Sequence, residues 1–246
     1  MKQVVRENFD ASVPAYEAYE RRTGRFETLA RLLDAELRAG VDGSLETVVD
    51  AGAGTGASSR VFAAGEGTER VLALDVSREM LRAVGADGGD CHPVQADIDR
   101  LPLGDGTADA VTFTASLFLV PDPDVAAREA ARVLGGGGVV GATATLGWVR
   151  EDGTDVFAGL ERESRSPTGA DEVRAALAGE FDVATGTWRF ATTAADVRRF
   201  HAIPAMAARL YPKLPPEERV ERARELLESL EGTVEQRWLW VVGTPR

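Results

Sequence analysis

Three glycines and three aspartates recur at spacings suited to holding a nucleotide-derived ligand. The stretch VVDAGAGTGASSR (48–60) sets Gly52, Gly54 and Gly56 directly after a short apolar run that contains Asp50. Glycine accepts positive φ and lets a ligand approach the backbone, while amides opening the next helix can hold a carboxylate or phosphate. Gly52, Gly54 and Ala57 also satisfy the G-x-G-x-x-G/A dinucleotide pattern. The loop alone leaves open a dinucleotide, another cofactor, or a purely structural turn.

The carboxylates narrow the choice. Asp75 closes the apolar run RVLALDV, 19 positions after Gly56, where a carboxylate can accept from two ribose hydroxyls. Nicotinamide enzymes place an acid there too. Asp50 discriminates better. A carboxylate at the loop base is a poor neighbour for a dianionic pyrophosphate but is tolerable beside a ligand carrying an ammonium and a sulfonium. Asp97, in QADIDRLPL, adds a third acid where a ribose or adenine edge would lie, which a plain dinucleotide fold does not predict.

The elements that must position these residues alternate. Helical spacing runs through 14–39, with Leu29, Leu32, Leu33 and Leu37 as its apolar stripe. Strand-like runs follow at 46–51, 70–76, 92–97, 109–115 and 138–145. Between them lie the helical segments SSRVFAAG, SREMLRAV (with a start signal at Ser77) and DVAAREAARVL. Such alternation predicts a parallel sheet covered on both faces. After residue 148 come mixed loop and helix, a strand at 181–190, a helical stretch, PPEERVERARELLESLEG with Gly232 at its end, and a closing strand at 234–244. No linker cuts the chain. We expect one domain over 1–246: an N-terminal helical lid (1–40), a core (46–148), a cap (149–232) inserted before the last strand, and that strand.

The order VVDAGAGTG, LALDVSREML, QADIDRLPLGDGTADAV, TASLFLVPDP and REAARVLGGGGVV resembles the class I S-adenosylmethionine-dependent methyltransferases. It is most similar to their small-molecule branch, which includes ubiquinone/menaquinone-biosynthesis C-methyltransferases. The resemblance covers roughly 9–148 and, more weakly, the final strand. It implies a Rossmann-like sheet of seven mostly parallel strands with helices on both faces and an antiparallel last strand. Its cofactor would be S-adenosylmethionine and its acceptor a small molecule. By the same resemblance the backbone of Gly52, Ala53 and Gly54 lies against the methionine part of the cofactor, with Gly56 also cofactor-binding and Asp50 stabilising the loop and the amino group. Asp75 takes the ribose hydroxyls, Val76 and Met80 pack beside adenine, and Asp97 accepts from the adenine amino group next to Ile98. Thr114 and Ala115 line the methyl-donor site. In NFDASVPAYEAYE, Tyr16 falls where the family's lid tyrosine closes, with Tyr19 a second candidate. The chain departs from the family in having LGGGG where proline precedes the paired glycines, which loosens a turn. Neither Asp-Pro-Pro-Tyr nor a Pro-Cys nucleophile, both marks of nucleic-acid base methylation, is present.

The acceptor is not written in the sequence. His201 is a weak candidate base. Phe118, Trp148, Trp188, Phe190 and Tyr211 are candidate acceptor-pocket aromatics, although aromatics in a cap are as often simple core. Cys91 and His92 are adjacent, but neighbours on an extended segment point to opposite faces. The single cysteine rules out an intrachain disulfide and a thiolate metal cluster; no metal is expected. A net charge of −12 argues against nucleic acid as a partner. The longest apolar stretch, 110–120, is far short of the roughly 20 residues a membrane helix needs. The N-terminus lacks a secretory core, so we expect a cytoplasmic protein, monomeric or homodimeric. Two other classes stay open: a nucleotide-dependent oxidoreductase on a related fold, and a non-catalytic cofactor-binding protein.

Lys2 and Lys213 are the only lysines, so 26 of 28 basic residues are arginine. High acidity with few lysines resembles proteins of salt-loving organisms, including halophilic archaea, whose carboxylate surface stays hydrated in concentrated salt. A GC-rich genome also favours arginine. The halophilic reading expects the chain to lose its far-ultraviolet circular dichroism when salt is dialysed away. Full folding without added salt contradicts it.

Overall fold

The computed structural model describes residues 2–84, 90–159 and 168–246. Its seven strands are β1 (Thr47–Ala51), β2 (Arg70–Asp75), β3 (Cys91–Gln95), β4 (Ala108–Phe113), β5 (Leu134–Arg150), β6 (Phe181–Thr193) and β7 (Thr233–Pro245). They form one sheet in the order β3-β2-β1-β4-β5-β7-β6. β1 pairs in parallel with both β2 and β4, β2 with β3, and β4 with β5. β7 is the antiparallel strand, inserted between β5 and β6. The chain moves outward from β1 to β3 and then returns to β4 beside β1. In open α/β sheets the crevice at such a reversal, beyond the carboxyl ends of the strands, is where ligands bind. The fold class expected from the sequence is the one observed.

The described residues divide into two compact units: Arg25–Ala144 with Thr168–Thr187 and Leu239–Arg246, and Met1–Gly24 with Thr145–Pro167 and Trp188–Trp238. The sheet core belongs to the former, here the sheet unit. Strands β1 and β4 are almost wholly buried, as parallel strands covered on both faces must be. Helices α3 (Arg25–Ala39), α4 (Ala57–Ala63), α5 (Arg78–Val84), α6 (Pro123–Val133) and α7 (Ala170–Glu180) belong to this unit. α3 buries Phe26, Leu29, Ala30, Leu33 and Leu37 at helical spacing. Leu33 and Leu37 press so closely on Gly141 of β5 that a Cβ there would sit 2.9 Å from a Leu37 methyl. α6 starts on Asp122, whose carboxylate accepts from Asp124 N, and buries Ala126, Ala127, Ala130 and Val133. The LGGGG run forms a bulge. Ala108 pairs with Leu134 and Ala110 with Val139, so β5 gains extra residues against β4 there.

The other, helical unit contains α1 (Lys2–Asp10), α2 (Val13–Thr23), α8 (Ala194–His201), α9 (Pro204–Leu210) and α10 (Pro216–Leu226), with the far ends of β5, β6 and β7. Ser12 joins its parts: Oγ donates to Asn8 O at 2.6 Å and accepts from Ala205 N at 2.9 Å. Arg22 pairs with Asp196 at 2.8 Å, linking α2 to α8. α10 is solvated, with Ala223 its only buried residue.

Several boundaries differ from expectation. The helical pattern over 14–39 is two helices, because Gly24 takes φ 54° and its amide closes α2 on Glu20 O. Gly232 does not end α10, which stops at Leu226. Its φ of 80° instead turns the chain into β7. β3 ends at Gln95, so Asp97 sits in the following turn rather than at a strand end.

Candidate functional site

The loop after β1 is a close-packed turn whose amides are spoken for. Gly52 N and Ala53 N both donate to Leu74 O, at 2.7 and 2.9 Å, tying the loop to β2. Gly54 N donates to Asp75 Oδ2 at 2.9 Å, and Gly56 N to Ala53 O at 2.9 Å. Gly52 must be glycine on two counts. Its φ is 84°, and a Cβ would lie 2.4 Å from the Ser116 Cβ. Ser116 is fixed in turn by donating Oγ to Ala51 O at 2.6 Å.

Asp75 spans two loops. While Oδ2 holds Gly54, Oδ1 accepts from Ser77 N at 2.8 Å, at the start of α5. Ser77 fulfils its expected start-signal role, accepting from Met80 N at 3.1 Å. Val76, partly buried, offers its carbonyl to Gln95 Nε2 at 3.1 Å, and Met80 is fully buried. Asp97 accepts from Asp99 N at 3.1 Å and so shapes the turn that carries buried Ile98.

Asp50 is sealed from solvent. Its Oδ2 accepts from Ser58 and Ser59 Oγ, both at 2.6 Å, and its Oδ1 from Thr112 Oγ1 at 3.3 Å. Burial pushes its carboxyl up from 3.8 to about 6, against the downward pull of these three hydroxyl bonds; the charge of Asp75 adds a smaller upward push. Sequence reasoning missed Ser58, Ser59 and Thr112. The signal was present: two serines open the helix after the loop, and threonines punctuate VTFTAS.

The carboxyl end of β4 is unusual. Ala115 has φ 56°, alone among the described non-glycine residues in being positive, and its amide donates to Thr143 Oγ1 at 2.9 Å. Such strain persists only where surroundings impose it, and it clusters at functional sites. Beside it the Thr114 hydroxyl is buried and has no hydrogen-bond partner among the described residues. Buried polar groups are rarely left this way, which marks a place where a ligand or water belongs. Phe118 follows in the 3-10 turn Leu117–Leu119 and is buried.

Asp50, Gly52, Ala53, Gly54, Gly56, Asp75, Val76, Met80, Asp97, Ile98, Thr114, Ala115 and Phe118 thus all belong to the sheet unit. Tyr16, Tyr19, Trp148, His201 and Tyr211 belong to the helical unit, and their site roles rest on the sequence alone. There Tyr19 is buried with its ring 5.3 Å from that of Phe200. His201 is buried, its Nδ1 2.9 Å from Val197 O, its ring edge-on to Trp148, Phe157 and Phe200. That is the environment of a packed histidine. Cys91 opens β3 against Ala53, Ala73, Leu81 and Val84. No group of three or more His, Cys, Asp or Glu among the described residues could hold a metal ion.

Residues 49–141, which include the loop, all three aspartates and the strained turn, match the family model of a methyltransferase domain. Over that stretch the chain is similar to a methyltransferase domain. Curated methyltransferases are similar to part of the chain. The chain is 39% identical to an uncharacterised chloroplastic methyltransferase of Arabidopsis thaliana over 105 residues, 39% of this chain and 30% of that protein. It is 39% identical to the ubiquinone/menaquinone biosynthesis C-methyltransferase of Escherichia coli over 101 residues, 38% of this chain and 40% of that protein. The matched stretch therefore spans well under half the length of these relatives. Among solved structures, a Bacillus halodurans protein described as a methyltransferase superposes with TM-score 0.60 at 18% identity, covering 87% of this chain and 99% of the other. A (4+2)-cyclase shares the same fold, with TM-score 0.54 at 21% identity over 87% of this chain and 81% of its own. The stretch similar to a methyltransferase domain thus includes the whole loop–carboxylate cluster, while the fold by itself leaves the reaction open.

The burial of Asp50 has a measurable consequence. Its folded pKa is raised, so the folded state holds the proton more tightly than the unfolded chain. Its contribution to stability is present below the unfolded value and lost as pH rises through the folded one. Relative to Asp50→Asn, the wild type is expected to lose about 3 kcal/mol between about pH 4 and about pH 6 in urea titrations, then to run parallel. A stability difference independent of pH contradicts this placement of the carboxylate.

Proposed function

We propose that the chain transfers a methyl group from S-adenosylmethionine to a small-molecule acceptor, with the cofactor held at the carboxyl ends of β1, β2 and β4. The observation that carries this reading is Asp75. It organises the glycine loop and the start of α5 together, a carboxylate at the end of β2 beside the loop. Two vicinal ribose hydroxyls are the natural donors for such a carboxylate. The residues present fit the cofactor in two further respects. A negative charge beneath the loop, from Asp50, favours a ligand bearing an ammonium and a sulfonium. The unpartnered Thr114 hydroxyl and the strained Ala115 mark the end of β4 as a place meant to be filled.

The same geometry speaks against a dinucleotide. A pyrophosphate needs loop amides free to donate, whereas those of Gly52, Ala53, Gly54 and Gly56 are engaged within the chain. Helix α4, at seven residues, is also a short carrier of helix dipole.

When bound, S-adenosylmethionine supplies a methyl group already activated by a positively charged sulfur. The protein's task is then mainly to align acceptor, methyl and sulfur and to exclude water. Gly52 and Ser116 pack the floor of the site, Asp75 and Asp97 orient the ligand through hydrogen bonds, and Met80 and Ile98 give it an apolar wall. The Thr114 hydroxyl is the polar group best set to orient a ligand at the end of β4. No dedicated base is required unless the acceptor must lose a proton during attack.

Asp75→Asn preserves shape and one acceptor oxygen while removing the charge. It should weaken S-adenosylhomocysteine by about ten- to hundredfold in calorimetry, the loss expected for hydrogen bonds to a charged group. Unchanged affinity in a folded variant refutes the ribose assignment. Binding of NADH in place of S-adenosylhomocysteine returns the chain to the oxidoreductase class.

A further inference from the structure

A second cavity lies in the helical unit, at the far ends of three strands that are neighbours in the sheet. It holds about 340 Å³ and is lined by Arg150 of β5, Arg237 of β7 and Arg189 of β6, together with Glu151 and Glu235. Alternation along a strand sets Glu235 and Arg237 on one face of β7. The remaining lining residues include Gly153 and Ala191, whose small size leaves the space open.

The arginines are not equally occupied. Arg237 Nε donates to Glu235 at 2.6 Å. Neither Arg150 nor Arg189 forms an ion pair with a carboxylate among the described residues. The nearest acid in sequence to Arg150 after Glu151 is Asp152, whose Oδ1 is engaged by Thr154 N and Oγ1, at 2.9 and 2.7 Å; those bonds, and less strongly the charge of Arg150, hold its carboxyl below the usual value. Those bonds, with Arg150 N donating to Thr154 O at 2.8 Å, fix the turn that presents Arg150. The cavity therefore has three cations against two anions, in a chain whose net charge is −12.

A larger groove between α8 and α10 shows what a satisfied surface looks like. It is also lined by three arginines, but each is answered. Arg198 donates to Leu230 O, Arg199 pairs with Asp196 at 3.0 Å and Arg224 with Glu221 at 3.4 Å. The strand cavity differs in leaving two guanidinium groups without a carboxylate in ion-pair contact, around an open space of ligand size.

We propose that this cavity binds a compact oxyanion, the phosphate or carboxylate group of a small molecule. Guanidinium forks match both groups in bidentate geometry. The site is separate in residues from the methyl-donor cluster and does not depend on the reading of that cluster.

The test is calorimetric titration of the full chain with inorganic phosphate and, separately, with citrate, at an ionic strength fixed by chloride. Saturable binding of at least one anion is expected, and the tighter of the two names the chemistry. The double variant Arg150→Ala/Arg189→Ala should weaken it by about tenfold or more, with Lys at both positions falling between, because charge survives but the fork does not. Arg224→Ala, in the satisfied groove, should bind as wild type does. Thermal melting without anion checks that the variants fold. Saturation by neither anion, or wild-type affinity in the double alanine variant, overturns the proposal.

Discussion

A carboxylate cut off from water must be met by donors, and much of the site follows from how this chain meets Asp50. The acid stands at the end of a fully buried strand, where an isolated charge would be prohibitive. Ser58 and Ser59 reach it from the first turns of α4, and Thr112 reaches it from β4. Those bonds fasten the strand, the helix after the glycine loop and the neighbouring strand to one point. The loop between them is then short of freedom, which is why its amides fold back on Leu74, Ala53 and Asp75 rather than facing outward.

Asp75 extends this framework by one strand. Its two oxygens hold the glycine loop and the start of α5 in a fixed relation, so the acid that would receive a ligand also builds the surface on which the ligand lies. On the other side of β1, Ser116 fills the space that Gly52 leaves and locks the turn after β4 against Ala51. The strained Ala115 and the unpartnered Thr114 hydroxyl sit in that turn. Short polar side chains thus fasten the loop, the helix after it and the turn after β4. A (4+2)-cyclase with the same fold shows that chemistry depends on what such a frame holds.

The strand order, the helices between strands and the glycine loop were legible because hydrophobic period and glycine spacing are local signals. The break at Gly24 was not: a lone glycine inside a helical pattern is no certain stop, and a left-handed φ there separates α2 from α3. Gly232 was misread for a related reason, since a glycine after an acidic helix looks like its stop, while here it serves β7. The long reach of β5, β6 and β7 beyond the core lay hidden as well, because it depends on pairing between strands distant in sequence. Within the site, Asp50 and Asp75 stood out as charges at strand ends. Their partners did not, as serine and threonine are common everywhere and reveal their role only when the fold brings them to an acid. His201 illustrates the reverse, a residue conspicuous by its chemistry that the fold surrounds with aromatic rings.

The central claim, methyl transfer to a small molecule, is tested most directly by supplying S-adenosylmethionine labelled in its methyl group to the purified chain with a small-molecule extract of the source organism, and weighing the products. The expected result is label in a discrete low-mass compound, absent when the chain is left out. Label confined to the unreacted donor, in a chain that nonetheless binds it, would contradict the claim and leave a cofactor-binding protein without turnover.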